Sequence, residues 1–174
     1  PDVYAIALRF VWHPHDAEDA TQDILIKVMT HLGSFRGDSR FSTWVYRIAS
    51  NALLTMNKKR METQPITFDA FAADLSHSVS NEEWDDEQPD SSRLLDEVKV
   101  GCTLALLQCL DRKHRLAYIL GDIMLLDHSE AAEALDVSQS SYRKQLSRAR
   151  QKVESFMMSH CGVVNTNNAC HCSR

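Results

Sequence analysis

The side chains best suited to bind a metal ion or to change redox state lie at the C-terminal end of the chain. Cys161, Cys170 and Cys172 fall there with His171 and His160. Thiolate and imidazole ligands suit zinc and copper(I), and three cysteines with one histidine would close a tetrahedral zinc site. The C-x8-C-x-C spacing is not that of a standard zinc finger. A zinc or copper(I) site, a reversible disulfide and an inert tail therefore remain alternatives.

No other residues have the pattern of a catalytic centre. The sequence has no glycine-rich phosphate loop, nucleophile–base pairing or paired catalytic carboxylates, and its other histidines are scattered. A metal hydrolase built on the tail would need an anchored, open site, for which the tail offers no scaffold. Five cysteines, mostly gathered at one end, do not form a disulfide framework and favour a reducing, cytoplasmic setting. We expect a binding protein that is not an enzyme and requires no cofactor.

Charge is unevenly distributed along the 174 residues, whose net charge is −5. Residues 62–97 contain 11 acidic and one basic side chain, a net charge of −10, and the remainder has 18 basic and 13 acidic side chains, a net charge of +5. This division predicts an acidic linker between two mildly basic modules. No apolar run reaches the ~20 residues of a membrane span, and the first residues do not resemble a secretory signal. We therefore expect no membrane insertion.

The first module is predicted to begin with two helices. An apolar helical pattern already runs at Val3 without a start signal, so we expect part of a helix to be missing before it. The His13-Pro14 pair ends this helix, and Asp16 is predicted to be the N-cap of the next one. The apolar positions of that second helix share one face: Ala20, Ile24, Leu25, Val28 and Leu32. Its polar side chains lie largely elsewhere, where they complement the helix dipole or bind a partner: Asp16, Glu18, Asp19, Gln22 and Asp23.

Aromatic and basic side chains are mixed in the rest of the first module. Gly33–Ser42 is predicted to be a loop whose ends are fixed to the core by Phe35 and Phe41. A helix over 43–57 follows, and its core spacing is Trp44, Val45, Ile48, Ala52 and Leu53. The neighbouring cations are Arg36, Arg40, Arg47, Lys58, Lys59 and Arg60. Aromatic faces beside cations are what single-stranded nucleic acid needs, because bases stack and phosphates bind positive charge.

The second module is predicted to contain four helices after a linker over 61–92, which has at most short helical pieces. The helices cover 94–110, 111–124, 127–135 and 139–158. One buried stripe is predicted for the first of them: Val98, Cys102, Ala105, Leu106 and Cys109. The last two form a helix-turn-helix, with Ala132 at the close contact and Ser138 as N-cap. No acid occurs between Val137 and Lys152, so the exposed basic face is a candidate reader of the DNA major groove.

Several motifs in this order resemble an extracytoplasmic-function sigma factor of bacterial RNA polymerase. They are DAEDATQD, FRGDSRFSTWVYRIASN, a basic helix end, an acidic linker and a four-helix module ending in LSRAR. The resemblance covers about residues 3–158 and implies an all-α fold with two small helical domains. It divides the chain into sigma region 2 (1–61, truncated at its N-terminus), an acidic linker (62–92), sigma region 4 (93–158) and a Cys/His-rich tail (159–174).

The resemblance also implies three binding surfaces. The acidic helix would dock on the clamp coiled coil of the polymerase β′ subunit through Asp16, Glu18, Asp19, Gln22 and Asp23. The loop and the helix after it would melt the −10 element and hold flipped bases through Arg36, Arg40, Phe41, Ser42, Thr43, Trp44, Tyr46, Arg47, Asn51 and Lys58. The second helix of the helix-turn-helix would read the −35 element through Ser141, Arg143, Lys144 and Arg148, some of which would contact phosphate.

The implied partners are core RNA polymerase, through its β′ and β subunits, and promoter DNA; a separate anti-sigma factor is left open. The implied location is the cytoplasm, at the nucleoid. The tail resembles the Cys-rich C-terminal extensions of some family members, a few of which respond to metals, and we hypothesise that it gates the basic helix before it. The alternative function is a stand-alone helix-turn-helix regulator, in which the acidic helix and the aromatic–basic segment have no role.

The chain departs from the family pattern at three positions. Asp136 stands where the turn usually has glycine, and aspartate tolerates the left-handed backbone that the turn needs. Tyr142 stands where a small β-branched residue is usual, and Thr55 replaces an acid. These differences bear on promoter preference and local packing.

Overall fold

The computed structural model describes residues 2–57, 66–78, 91–168 and 170, and all regular elements within them are helical. The first module contains α1 (Asp2–Val11), α2 (Pro14–His31), a short 3-10 turn (Leu32–Ser34) and α3 (Phe41–Thr55). Helix α4 (Phe68–Ser78) lies in the linker. The second module contains α5 (Ser91–Gln108), α6 (Arg112–Tyr118) with a π-helical turn (Ile119–Ile123), α7 (His128–Ala134) and α8 (Gln139–His160). The predicted all-α fold is confirmed.

One apolar cluster runs through both modules. In the first module its largest fully buried side chains are Ile6, Phe10, Ile24 and Leu53. In the second module they include Leu107, Leu116, Leu120, Leu146 and Tyr142. Burying a side chain of this size stabilises a fold by roughly 1.5–3 kcal/mol relative to leaving it in water. The two modules therefore pack against each other, with α1 against α5 and α6 and with α3 against α7.

The linker helix α4 packs on the far end of α8. The ring of Phe71 is stacked on that of Phe156, with 5.2 Å between centroids and an angle of 2° between planes. Phe68 lies 5.6 Å from the same ring. The acidic segment thus contains a helix of three turns, and the described part of it is attached to the second module.

Local signals predicted several helix ends correctly. His13 has an extended backbone and Pro14 opens α2, as the proline suggested. Ser138 is the N-cap of α8, where its hydroxyl accepts a hydrogen bond from the backbone N–H of Ser141 at 3.2 Å. Asp136 has a φ of 54°, so the turn does keep its left-handed residue. The predicted N-cap of α2 is wrong, because Asp16 lies within the first turn. Proline suits the first helical position, and the helix begins there.

The predicted buried face of α2 is too wide. Ala20 and Ile24 are buried, but Leu25 and Leu32 are 47% and 53% exposed. Consecutive residues of a helix point about 100° apart, so Leu25 leaves the narrow stripe on which α2 packs. These two leucines therefore belong to the outer surface of the first module.

The core face of α3 is rotated from the predicted one. Leu53 is buried as expected, together with Tyr46, Ala49, Thr43 and Ser50. The predicted core residues that are only half buried are Trp44, Val45 and Ile48. The rotation has a long-range cause, since α3 contacts both α2 and α7 of the other module. Small residues such as Ala49 and Ser50 allow that close approach.

The buried part of helix α5 begins nearer its C-terminal end than predicted. Ala105 and Leu106 are buried, but Val98 is 48% exposed, and Cys102 and Cys109 are half buried rather than enclosed. Residues 96–100 are all exposed, so the apolar stripe is used only in the second half of the helix.

Tyr142 is accommodated by a glycine on the neighbouring helix. The ring is fully buried, and a Cβ added to Gly121 would lie 3.0 Å from Leu146 Cδ2 and closer still to the Tyr142 hydroxyl. That hydroxyl is buried without a hydrogen-bond partner, and burial raises the pKa of Tyr142 to about 12. The unusual tyrosine and the small residue facing it thus form a matched pair.

This pairing predicts a double-mutant cycle measured by urea unfolding. Gly121→Ala should lower the free energy of unfolding by about 1–3 kcal/mol, because it overpacks the core. Tyr142→Phe should leave the stability unchanged or raise it, because it removes an unpaired buried hydroxyl. The double variant should recover part of the Gly121→Ala loss. Strictly additive losses would show that the two side chains do not compete for the same space.

Candidate nucleic-acid interface and polymerase-docking face

Three aromatic rings form a cluster at the surface where the loop meets α3. The centroids of Phe35 and Phe41 are 5.4 Å apart and almost perpendicular, and Trp44 lies 5.4 Å from Phe35. Phe41 and Trp44 are stacked at 5.7 Å with 29° between their planes. Phe41 remains 48% exposed, so it contacts the other rings rather than fixing the loop to the core. We call Phe35, Phe41 and Trp44 the aromatic cluster.

Basic residues lie close in sequence to the aromatic cluster. Arg36 and Arg47 are exposed, as are Ser42 and Asn51. Arg40 is also exposed, but its Nη1 lies 2.8 Å from Glu130 Oε1 of α7 in an ion pair. Lys58, Lys59 and Arg60 lie outside the described residues. Aromatic faces together with guanidinium groups can stack unpaired bases and bind the phosphates between them.

Two residues predicted to face the −10 element lie inside the first module. Thr43 is 2% exposed. Tyr46 is buried, and its hydroxyl donates a hydrogen bond to Asp2 Oδ2 at 3.2 Å. Burial, with the negative charge of Asp2, raises the pKa of Tyr46. Their contacts with DNA stay a prediction. As buried residues of α3, they are placed to support the exposed side chains of the same helix.

The outer face of α2 is acidic in its first half and apolar in its second half. Glu18, Asp19, Gln22 and Asp23 are exposed, and Asp16 is half buried. The exposed apolar side chains that follow, which sequence reasoning did not assign to a binding surface, are Leu25, Ile26, Met29 and Leu32. Met29 is 74% exposed. We call this set of acidic and apolar side chains the α2 face.

Helix α8 presents a basic surface near its N-terminus. Arg143, Lys144 and Arg148 are exposed, and Ser141 is half buried. Arg143 Nε donates a hydrogen bond to His128 Nδ1 of α7 at 3.2 Å. Arg150 is engaged elsewhere, since its Nε lies 3.0 Å from Asp122 Oδ2.

Further side chains share the exposed surface of α8. They are Gln139, Ser140 and Ser147. The first residues of a recognition helix most often contact base edges, so the Ser138 cap was the sequence signal that could have pointed to Gln139 and Ser140.

The described part of the tail folds back on the end of α8. Asn168 Nδ2 donates hydrogen bonds to the carbonyls of Met158 and Cys161 at 3.1 and 3.0 Å. Burial, together with neighbouring Cys170 and Cys161, raises the pKa of Cys102 to about 11. Among the described residues, no three or more His, Cys, Asp or Glu side chains form a group able to hold a metal. His160 packs against Phe156 at 4.8 Å. Two of the predicted ligands, His171 and Cys172, lie outside the described residues.

Across the described ranges, no helix combines the length and apolar character that crossing a bilayer demands.

Two family models match the two modules. Residues 1–63 match sigma-70 region 2, and residues 101–153 match sigma-70 region 4. A chain that combines these two regions is a sigma factor of the sigma-70 class. With the relatives described next, the chain belongs to the extracytoplasmic-function family of RNA polymerase sigma factors.

Curated relatives are identical to the chain at somewhat under a third of the aligned positions. The extracytoplasmic-function RNA polymerase sigma factor SigE of Mycolicibacterium smegmatis is 29% identical over 163 residues, which cover 91% of this chain and 58% of the relative. The RNA polymerase sigma-H factor of Pseudomonas aeruginosa is 28% identical, covering 87% of this chain and 78% of the relative. The chain thus spans little more than half the length of SigE.

Two solved structures share the fold. CnrH in complex with the cytosolic domain of CnrY has a TM-score of 0.59 at 21% identity, covering 89% of this chain and 79% of that one. The sigma factor RpoE in complex with the anti-sigma factor NepR from Bartonella quintana has a TM-score of 0.57 at 19% identity, covering 90% of each chain. At this identity the similarity is evidence for the fold alone.

Proposed function

We propose that the chain is a transcription-initiation subunit that directs core RNA polymerase to specific promoters and helps to open them. The observation that carries this proposal is the α2 face. Its acidic half would be repelled by the phosphates of DNA, and its apolar half needs a protein surface to cover it. A stand-alone helix-turn-helix regulator has no use for such a face.

The other two surfaces fit the same role. The exposed basic start of α8 suits the major groove of duplex DNA at the −35 element. The aromatic cluster with Arg36 and Arg47 suits bases that have left the duplex at the −10 element. One surface for duplex DNA, one for unpaired bases and one for protein together match promoter opening, in which the chain needs no catalytic activity of its own. Such work would take place in the cytoplasm at the nucleoid.

The α2 face predicts variants that lose core polymerase without losing their fold. Asp23→Lys reverses a charge in the acidic half, and Met29→Asp places a charge in the apolar half. Each should weaken binding of the full chain to core RNA polymerase by about tenfold or more, because central interface residues dominate affinity. The affinity is measured by titrating chain labelled at its N-terminus with core enzyme.

The matched control for these variants is Asp74→Lys. Asp74 is exposed on α4, away from the α2 face, so it tests whether added positive charge alone changes binding. Equal losses in all three variants, or none in any of them, would contradict the proposed docking face.

The tail gives a second, separable proposal about regulation. Cys161 and Cys170 add to burial in raising the pKa of Cys102, but among the described residues no three such side chains form a group able to hold a metal. We propose that the tail thiols, together with His171 and Cys172, respond to zinc, copper or thiol oxidation and gate α8. A chain with Cys161, Cys170 and Cys172 changed to Ser should then respond less to these agents in transcription. An unchanged response would remove the sensing role.

An anti-sigma factor is the third partner that we propose. The structural neighbour RpoE was solved with the anti-sigma factor NepR, and its fold covers most of this chain.

A further inference from the structure

A side chain on the first helix of the helix-turn-helix is hydrogen-bonded to a candidate DNA reader on the second. We propose that His128 is a positioning residue, which holds the guanidinium of Arg143 ready to read one guanine in the major groove, and that Tyr142 supports the ring of His128. The inference rests on one part of the proposed function, the reading of duplex DNA. It is independent of core polymerase, because a stand-alone regulator would read DNA through the same helix.

Arg143 differs from Lys144 and Arg148, the other basic candidates on α8, in having a partner on another helix. Its Nε donates a hydrogen bond to Nδ1 of His128, the first residue of α7, at 3.2 Å. Among the hydrogen bonds and ion pairs of the described residues, none involves the side chain of Lys144 or of Arg148. Long side chains without a partner sample many rotamers, so these two suit phosphates, whose contacts carry no sequence information.

The hydrogen bond to His128 uses the donor of Arg143 that lies nearest the backbone. A guanidinium carries five N–H donors in one plane, and this bond occupies the Nε–H. The two terminal amino groups lie beyond it on an exposed side chain. They can donate in parallel to O6 and N7 of guanine, the commonest specific contact in the major groove. Because the bond to Nε also orients the plane of the group, the terminal donors are already aligned before DNA binds.

The same hydrogen bond determines which nitrogen of His128 carries the proton. A guanidinium donates hydrogen bonds and accepts none, so Nδ1 is unprotonated and the ring carries its proton on Nε2. This acceptor gains importance when DNA binds. A base pair that covers Arg143 displaces water from the guanidinium, and an Nε–H without a protein acceptor would then lose its hydrogen bond. His128 supplies the acceptor.

The ring of His128 is supported by a buried ring and by a capped helix end. Its centroid lies 5.7 Å from that of Tyr142, with 65° between the planes, which is the edge-to-face arrangement that aromatic rings favour. Tyr142 is fully buried and fills the space that Gly121 leaves. Asp127 accepts hydrogen bonds from two backbone N–H groups in the first turn of α7, at 2.7 and 2.9 Å. The backbone at His128 is therefore fixed as well.

Tyr142, one of the departures from the family pattern, thereby acquires a role in DNA recognition. A small β-branched residue at this position would present no ring to His128. A side chain that is oriented in advance loses less conformational freedom on binding, so His128 should strengthen the contact that Arg143 makes with its base. The effect should be confined to that base pair, because phosphate contacts elsewhere on α8 do not depend on Arg143.

The test uses two replacements of His128 that separate the acceptor from the ring. His128→Asn keeps an acceptor, because the amide oxygen of asparagine is bonded to Cγ as Nδ1 is in histidine, and it loses the ring. His128→Phe keeps a ring against Tyr142 and loses the acceptor. Arg143→Ala removes the reader itself. Its matched control is Lys144→Ala, which removes the neighbouring exposed cation and should weaken binding to all duplexes by a similar factor.

The probe is the duplex that the full wild-type chain selects from a random library, bound without core polymerase at one fixed salt concentration. Each base pair is changed in turn, and discrimination is the ratio of the two dissociation constants. One guanine should be discriminated by roughly 5- to 150-fold in the wild type and in Lys144→Ala, but not in Arg143→Ala.

The His128 variants are compared at that guanine. His128→Phe should lower the ratio about two- to tenfold there and leave it unchanged at the other base pairs. His128→Asn should stay within about twofold of the wild type. Added to Arg143→Ala, His128→Phe should have no further effect, because His128 acts through Arg143. Circular dichroism of each variant confirms that the helices are intact.

Several results would overturn the positioning role. They are a wild-type ratio in His128→Phe, equal losses in both His128 variants, and an Arg143→Ala chain that still discriminates every guanine. A wild-type chain that selects no duplex sequence would overturn it too. The expected ratios in a chain that does not bind core polymerase would leave the role of His128 standing, and that result would instead contradict the proposed function.

Discussion

Replacing Arg115 with methionine should lower the free energy of unfolding by about 3–5 kcal/mol, the largest stability effect that we expect for a single side chain. Arg115 binds Phe10 of the first module and three carbonyls of its own module, those of Leu107, Gln108 and Leu110, at 2.9, 3.2 and 3.0 Å. Methionine would fill much of the space but would leave these buried carbonyls without this donor. Bonds made by a charged group contribute roughly 1.5–3 kcal/mol each.

The measurement is urea unfolding followed by far-ultraviolet circular dichroism, with Lys113→Met as the control. Lys113 is exposed on the same helix, so its replacement should change stability by less than about 0.5 kcal/mol. Arg115→Lys keeps the charge but has fewer donors, and it should fall between the two. A loss below about 1 kcal/mol for Arg115→Met would show that water satisfies these carbonyls and that the arginine is not a structural centre.

Replacing Trp44 with alanine should reduce promoter opening by roughly 5- to 150-fold, the largest functional effect that we expect. Stacking of a base on an aromatic side chain is worth about 1–3 kcal/mol, which corresponds to that range. Trp44 contacts both Phe35 and Phe41, as each ring of the aromatic cluster contacts the other two, so its loss also removes packing from those rings. Opening is measured by the permanganate reactivity of unpaired thymines in the −10 element.

Two comparisons separate a DNA effect from a folding effect. Trp44→Phe keeps a flat aromatic face and should restore most of the opening. Because the proposed docking surface for core polymerase is the α2 face, the affinity for core should stay within about twofold of the wild type in both variants. Normal opening by Trp44→Ala would show that the aromatic cluster does not hold unpaired bases. A parallel loss of core binding would indicate a misfolded first module.

The features that were predicted correctly from the sequence are those that depend on a few neighbouring residues. The Ser138 cap, the left-handed turn at Asp136 and the break at Pro14 all depend on a few neighbouring residues, and all three are present. The helix-turn-helix was predictable for the same reason. Its basic surface followed from the absence of acids between Val137 and Lys152.

Contacts between distant parts of the chain were not predictable in this way. In sequence, an exposed apolar residue cannot be told from a core residue. For this reason Leu25 and Leu32 were assigned to the wrong face of α2. The rotation of α3 depends on α7, which lies some 80 residues further along the chain. Arg115 stands in the basic run DRKHR, whose composition suggests a solvated surface, and only the fold shows that it is buried.

The central claim is that this chain directs core RNA polymerase to promoters, and run-off transcription on a genomic fragment library tests it most directly. Core enzyme is assayed with and without the chain, and each reaction is repeated with zinc, with copper and with an oxidant. We expect discrete transcripts that depend on the chain and that disappear with Met29→Asp, which disrupts the α2 face. Binding of the chain to duplex DNA without association with core and without a transcript would contradict the claim, and it would favour a stand-alone regulator.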